Sequence, residues 1–310
     1  DSLGNEHEIN SVREDLALVA MDQGNFEKAH RLWETVIKSY RSKGDSLGVA
    51  NVRINRGMTY YNEQNFPRAL ANFQKALQYF QNSGAKEEVA GLHNNIGMVH
   101  KSNKDNSKAA EYYDKALDLW EELDDWRGIA MTSNNLGIIY AEMGNNDEAL
   151  NHLRKSLKIA RKTGNSRGIS NNERNIGIVY QRINKPDSAL VHLKKALALA
   201  REGGQKQYII PIKNEMAKAY FDKGLNAEAL QNAKTALRMN QQPNLPRGRK
   251  NSNEVLYKIY EQRGDEQKAL RHYKAYVNAR DSIRSRENYR EIVQMEYQYN
   301  LEQERQKHRL

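Results

Sequence analysis

Apolar residues line one helical face in SNNLGIIYAEMGNNDEAL (133–150), yet an Asn-Asn pair interrupts the face in front of a glycine. Forty residues upstream, HNNIGMVHKSNKDNSKAA (93–110) repeats the pattern. Asparagine is a poor helix former because its side chain competes for backbone hydrogen bonds, so its return in mid-helix has a cause other than propensity.

The cause is a repeat. Gly57, Gly97, Gly137 and Gly177 stand 40 residues apart, inside INRGMTY, NNIGMVH, NNLGIIY and RNIGIVY. The register continues through Ala217 and Tyr257 and back to Ala17. Twelve residues after each of these seven positions stands an alanine, from Ala29 to Ala269, and Tyr60, Tyr140, Tyr180, Tyr220 and Tyr260 follow three residues after the small one. Two further columns, Gly24, Gly144, Gly224, Gly264 and Gly44, Gly84, Gly164, Gly204, mark breaks where a helix can end in the left-handed conformation. Each unit therefore reads helix, turn, helix, turn. The small residues predict close crossings of antiparallel helices, where Ala149→Leu would overpack at a cost of about 1–3 kcal/mol. Pro67 and Pro186 open second helices, and Pro211 is expected in the first turn of a first helix.

Composition agrees. Of 310 residues only five are proline, 28% are charged, and Ala, Leu, Glu, Lys, Arg and Gln dominate long stretches, a helical mixture. The chain has no cysteine, which excludes disulfides, thiolate metal sites and a cysteine nucleophile and leaves the compartment open. No apolar run approaches the roughly 18 residues of a membrane span, and the sequence starts at Asp1 without a signal-like segment, as expected of a portion of something longer. The net charge of +10 is dispersed, its densest stretch being PRGRK (246–250), so it reads as a solvated surface and not as a nucleic-acid track.

The small residue, the tyrosine three later, the turn glycine, the alanine at twelve and a further one at nineteen (Ala76, Ala116, Ala196, Ala236) resemble the tetratricopeptide repeat (TPR). The 40-residue period is similar to the long-helix variety found in kinesin light chains, LGN/Pins-type adaptors and many bacterial signalling proteins. The resemblance implies an all-α fold: a right-handed α-α superhelix, a TPR solenoid of about seven repeats over residues 8–280, with repeats near 10–44, 50–84, 90–124, 130–164, 170–204, 210–242 and 250–280. Residues 281–310 would form a long, charged C-terminal capping and projecting helix.

At 100° per residue, the small residue's neighbours three before, two before and one after fall toward the face that, in TPR proteins, resembles the concave wall of a groove. Asn55, Asn95, Asn135 and Asn175 fill one column there, and Asn94, Asn134, Arg174 and Asn214 the column beside it. Met58, Met98, Ile138 and Ile178 add a flexible apolar stripe, with Lys218 and Lys258 continuing it and Lys213 nearby. An asparagine carries donors and an acceptor and can match the backbone of an extended peptide, as the similar column does in the 40-residue adaptors. The same amides could instead bond one another or a helix terminus and hold the pitch of the array. Toward repeats 6 and 7 the groove is expected to turn basic and to suit an acidic ligand segment.

Catalytic chemistry has no foothold: HExxH, GxxxxGK[ST], GxSxG and GxGxxG are all missing from the sequence, so no enzyme and no cofactor are expected. His152, His192 and His272 share a column, but equivalent atoms of neighbouring repeats lie on the order of 10 Å apart, too far for one metal ion. They read as polar outer-face residues.

The tail outruns one TPR helix, and Tyr289, Ile292, Met295 and Tyr299 form a short heptad-like seam through which two copies could pair. YKAYVNARDSI (273–283) followed by MEYQYNLEQERQKHRL resembles the segment after the TPRs of bacterial regulators, ahead of a membrane span and a histidine-kinase or DNA-binding output. That resemblance implies the sensor domain of a membrane-associated signalling protein, at the periplasmic face or in the cytoplasm, binding a protein or peptide in its groove. A stand-alone peptide-binding adaptor is the alternative, and a helical-repeat RNA binder is disfavoured because the asparagine column is nearly constant and groove aromatics are few.

Overall fold

The computed structural model describes the backbone of residues 2–204, 206–240 and 246–307, and side chains over 6–204, 207–240 and 247–285 with a few beyond. Every element among these residues is an α-helix, and the helices follow one another as packed pairs. The first helices are α1 (Ser2–Asp22), α3 (Ser46–Asn62), α5 (Lys86–Ser102), α7 (Trp126–Met143), α9 (Ser166–Arg182), α11 (Lys206–Asp222) and α13 (Pro246–Gln262). The second helices are α2 (Phe26–Ser42), α4 (Phe66–Ser83), α6 (Asn106–Glu122), α8 (Asn146–Lys162), α10 (Pro186–Glu202), α12 (Asn226–Met239) and α14 (Glu266–Lys307). The last joins the second helix of repeat 7 and the tail in one unbroken element.

Local rules explain the punctuation. Asn25, Asp45, Asn65, Asp105 and Asn165 stand at N-caps and accept hydrogen bonds from the backbone N–H three residues on. The turns demand a left-handed residue, as at Gly144 (φ 87°), and where the repeat supplies none the chain bends all the same. Gln64, Lys104, Asp124 and Asn184, in the same columns, have φ between 51° and 68°. Pro211 departs from expectation: it lies inside α11, past its first turn, because the helix already begins at Lys206. Only the hydrogen bond to a carbonyl of the opening turn is lost there, so the helix continues.

The chain divides into two compact units, Asp1–Gly128 with Tyr289–Leu310, and Ile129–Asn288. In the first unit a Cβ on Gly57 would stand 2.5 Å from the Phe73 ring, and one on Gly97 would stand 2.8 Å from Tyr113. In the second, Gly137 and Gly177 meet Leu153 and Leu193 at 2.5 and 2.8 Å in the same way. The small-residue column is therefore the seat of the side chain sixteen residues later, and the alanines at twelve are fully buried beside it from Ala29 to Ala229, while Ala269 of the last repeat is half-buried.

The histidine column is structural. His152, His192 and His272 stack on Tyr140, Tyr180 and Tyr260 with ring centroids 5.3–5.5 Å apart. Of the expected tail seam, Tyr289, Ile292 and Tyr299 lie outside the described side chains, while Met295 is exposed.

Candidate functional site

In the first unit, Asn55, Asn95, Met58 and Met98 are half-buried on α3 and α5, and Asn94 is buried. Met58 packs against the core with Ile54 and so is part lining and part core.

The second unit shows what the amide columns do. Asn175 on α9 donates from Nδ2 to Oδ1 of Asn134 on α7 at 2.9 Å, a rung joining adjacent first helices. Arg174 also reaches Oδ1 of Asn175, at 3.4 Å. One repeat on, the same two positions hold Arg174 and Glu215, and the rung becomes a charge pair. Asn214 turns inward, with 3% of its surface exposed, donating to the Gly248 carbonyl at 3.2 Å and accepting from Ser252 Oγ at 2.6 Å. Lys213 points away toward α12, where it bonds Oδ1 of Asn232 at 3.1 Å. Asn135, Ile138 and Ile178 stay half-buried, and Lys218 is exposed.

Around Glu215 the first helices α9, α11 and α13 enclose a cavity of about 420 Å³. Of the residues anticipated from sequence, Ile178, Asn214 and Lys218 line it, as does Lys258. The expected basic character holds only in part. Arg182, Lys218, Lys250 and Lys258 face Glu215, Asp222 and Glu254 across the same space. Glu254, one turn before Lys258, pairs with it at 2.9 Å, as the i,i+4 spacing favours. Arg182 donates to the Ala141 carbonyl near the C-terminus of α7, at 2.7 Å, where a cation complements the helix dipole.

Burial pushes the Glu215 carboxyl above its ordinary range, against the pull of Arg174, Lys218 and Arg182, and burial likewise lowers Arg174. Glu215 is thus short of solvation in the lining of this cavity, and an N–H donor placed there would satisfy the carboxylate.

Glu173, two residues before Asn175, is the opposite case and was not anticipated. Its side chain is 1% exposed and accepts from Arg161 Nη2 at 2.7 Å and bonds His192 Nδ1 at 2.6 Å. Burial raises its carboxyl, but His192 first, then Arg161 and Lys195, outweigh that and hold it below the usual range. The signal was available: the residue four before the small column faces the one nineteen later, as Glu173–His192, Lys213–Asn232 and Asn253–His272 all show.

A family model of the tetratricopeptide repeat matches residues 8–82, 88–162 and 128–202. No curated protein matches the sequence. Among solved structures, the apo form of RapI is similar with a TM-score of 0.74 at 17% identity, over 89% of this chain and 99% of that one. Aspartyl phosphate phosphatase F from Bacillus subtilis gives 0.72 at 14% identity, over 86% and 69%. The Rap conjugation gene regulator of plasmid pLS20, solved in complex with the Phr* peptide, gives 0.65 at 16% identity, over 88% and 74%. At these identities the likeness is one of fold.

Proposed function

The chain belongs to the tetratricopeptide repeat family, and we propose that it is a non-enzymatic protein-binding module that takes an extended peptide segment on the first-helix face of its second unit. The observation that carries this reading is the cavity around Glu215, a site with an undersolvated carboxylate, flanking cations and half-buried Ile178 in one concave surface. Peptide N–H groups would satisfy Glu215, and peptide carbonyls or acidic side chains would meet Lys218 and Lys250. Peptide binding by a neighbour of the same fold, the pLS20 regulator with Phr*, supports the reading by analogy.

The test is selection of random phage-displayed peptides on the full chain, followed by fluorescence anisotropy of the selected peptides against variants. Lys218→Glu is exposed and should fold, and it should weaken binding by about tenfold or more, the effect of losing a charge-assisted hydrogen bond and adding repulsion. Equal affinity for wild type and Lys218→Glu, with Glu215→Gln equally silent, contradicts the site.

The module's setting follows from its tail. The resemblance of YKAYVNARDSI (273–283) and the helix after it to the region preceding the output domains of bacterial regulators supports a sensor or interaction domain of a signal-transduction protein of the two-component sensor-kinase type. Partner binding would bias one arrangement of the first helices over another, and α14 would pass that bias on. Reading the coding sequence past Leu310 tests this: a membrane span followed by a kinase core or DNA-binding domain is expected, and an immediate stop codon contradicts it.

A further inference from the structure

A second cavity, of about 300 Å³, opens in the first unit among the last turn of α2, the start of α3 and the middle of α4. Arg41, Arg53, Lys75 and Tyr79 line it, with Asp45 as the one carboxylate among its lining residues. That carboxylate is already engaged at the N-cap of α3, accepting from the Gly48 N–H at 2.8 Å. Glu34, whose charge also reaches Arg53, is bonded to Arg56 at 2.7 Å.

The repeat provides an internal reference. Three periods further along, the positions of Arg41, Arg53 and Lys75 hold Arg161, Glu173 and Lys195. There a carboxylate occupies the centre, bonded to Arg161 at 2.7 Å and within the influence of Lys195. Here a third cation stands where that carboxylate belongs. Burial, followed by the charges of Arg41 and Arg56, lowers the Arg53 pKa, as expected of a guanidinium that lacks its counter-charge.

Three cations against one carboxylate leave two positive charges, the complement of a phosphomonoester dianion. The space exceeds what a carboxylate needs, an Arg fork suits phosphate oxygens, and the Tyr79 hydroxyl adds a donor. We propose that this notch is a binding site for a phosphate monoester group, carried either by a phosphorylated side chain of a partner or by a free small phosphate. It is separate from the peptide site of the second unit, and neither proposal needs the other.

Isothermal titration of the full chain with inorganic phosphate, and with a short neutral peptide bearing one phosphoserine or none, tests it. Saturable phosphate binding is expected, weakened about tenfold or more by Arg53→Glu, which places a carboxylate between Arg41 and Lys75 as Glu173 stands between Arg161 and Lys195. Lys75→Ala, at an exposed position, should weaken binding severalfold, whereas Lys195→Ala at the filled counterpart should leave it unchanged. A phosphopeptide that binds well above inorganic phosphate identifies a partner's side chain as the source, and equal binding identifies a free phosphate. Should Arg53→Glu not fold, Lys75→Ala and Arg41→Ala decide. Absence of saturable phosphate binding, or affinity indifferent to these substitutions, overturns the proposal.

Discussion

Glu173 and Glu215 are carboxylates on first helices of the same unit, and their surroundings drive them in opposite directions. Glu173 is buried between α8 and α10, and His192 and Arg161 bond both of its oxygens, so its charge is compensated. Glu215 is half-buried on the cavity face, where Arg174, Lys218 and Arg182 act on it without offsetting its desolvation. One carboxylate holds the repeat together, while the other is kept at a thermodynamic disadvantage that a ligand can relieve. The register decides which: two positions along a helix turn a residue from the second-helix side to the cavity side.

Removing the charge at each position tests this contrast, and the largest effect should come from Glu173→Gln. Losing the ionic component of two short hydrogen bonds should cost about 1.5–3 kcal/mol at neutral pH by denaturant unfolding. Because the folded pKa of Glu173 is lowered, its contribution is complete above the unfolded carboxylate value and is lost as pH falls through the folded one. The gap between variant and wild type should therefore narrow in acid. Glu215→Gln should do the reverse and stabilise by about 1 kcal/mol at neutral pH. Its folded pKa is raised, so the carboxyl favours folding below its ordinary value and loses that as pH rises through the folded one. The variant's advantage should then be absent in acid and grow toward neutrality. The smallest effect belongs to Asn175→Ala, which removes the 2.9 Å rung to Asn134 and should cost about 0.5 kcal/mol, the low end for a neutral hydrogen bond, without pH dependence. A rung deletion as costly as Glu173→Gln would erase the distinction between the packed side and the cavity side.

Much of the architecture is legible in the sequence because it depends on period and residue size. Gly137 is required by Leu153, and the turn columns can be placed even where Lys104 or Asn184 replaces glycine, since neighbouring repeats impose the geometry. The site is less legible, because one column can serve two purposes. Asn134 and Asn175, expected from sequence to face a groove, bond each other, and Asn214 is buried where Ser252 and the Gly248 carbonyl offer partners. Identity alone does not reveal the partner one repeat away. The buried role of Glu173 emerges only from its nineteen-residue relation to His192, which Lys213–Asn232 and Asn253–His272 share. The division after Gly128 leaves no mark in the repeat, whose columns run through it without a change of spacing.

The most direct measurement of the central claim is amide hydrogen–deuterium exchange of the full chain with and without a phage-selected peptide at saturation. Slowed exchange concentrated in α9, α11 and α13, with α10 and α12 unchanged, is the predicted result. Protection confined to the second helices, or none in α11 around Glu215, would contradict it.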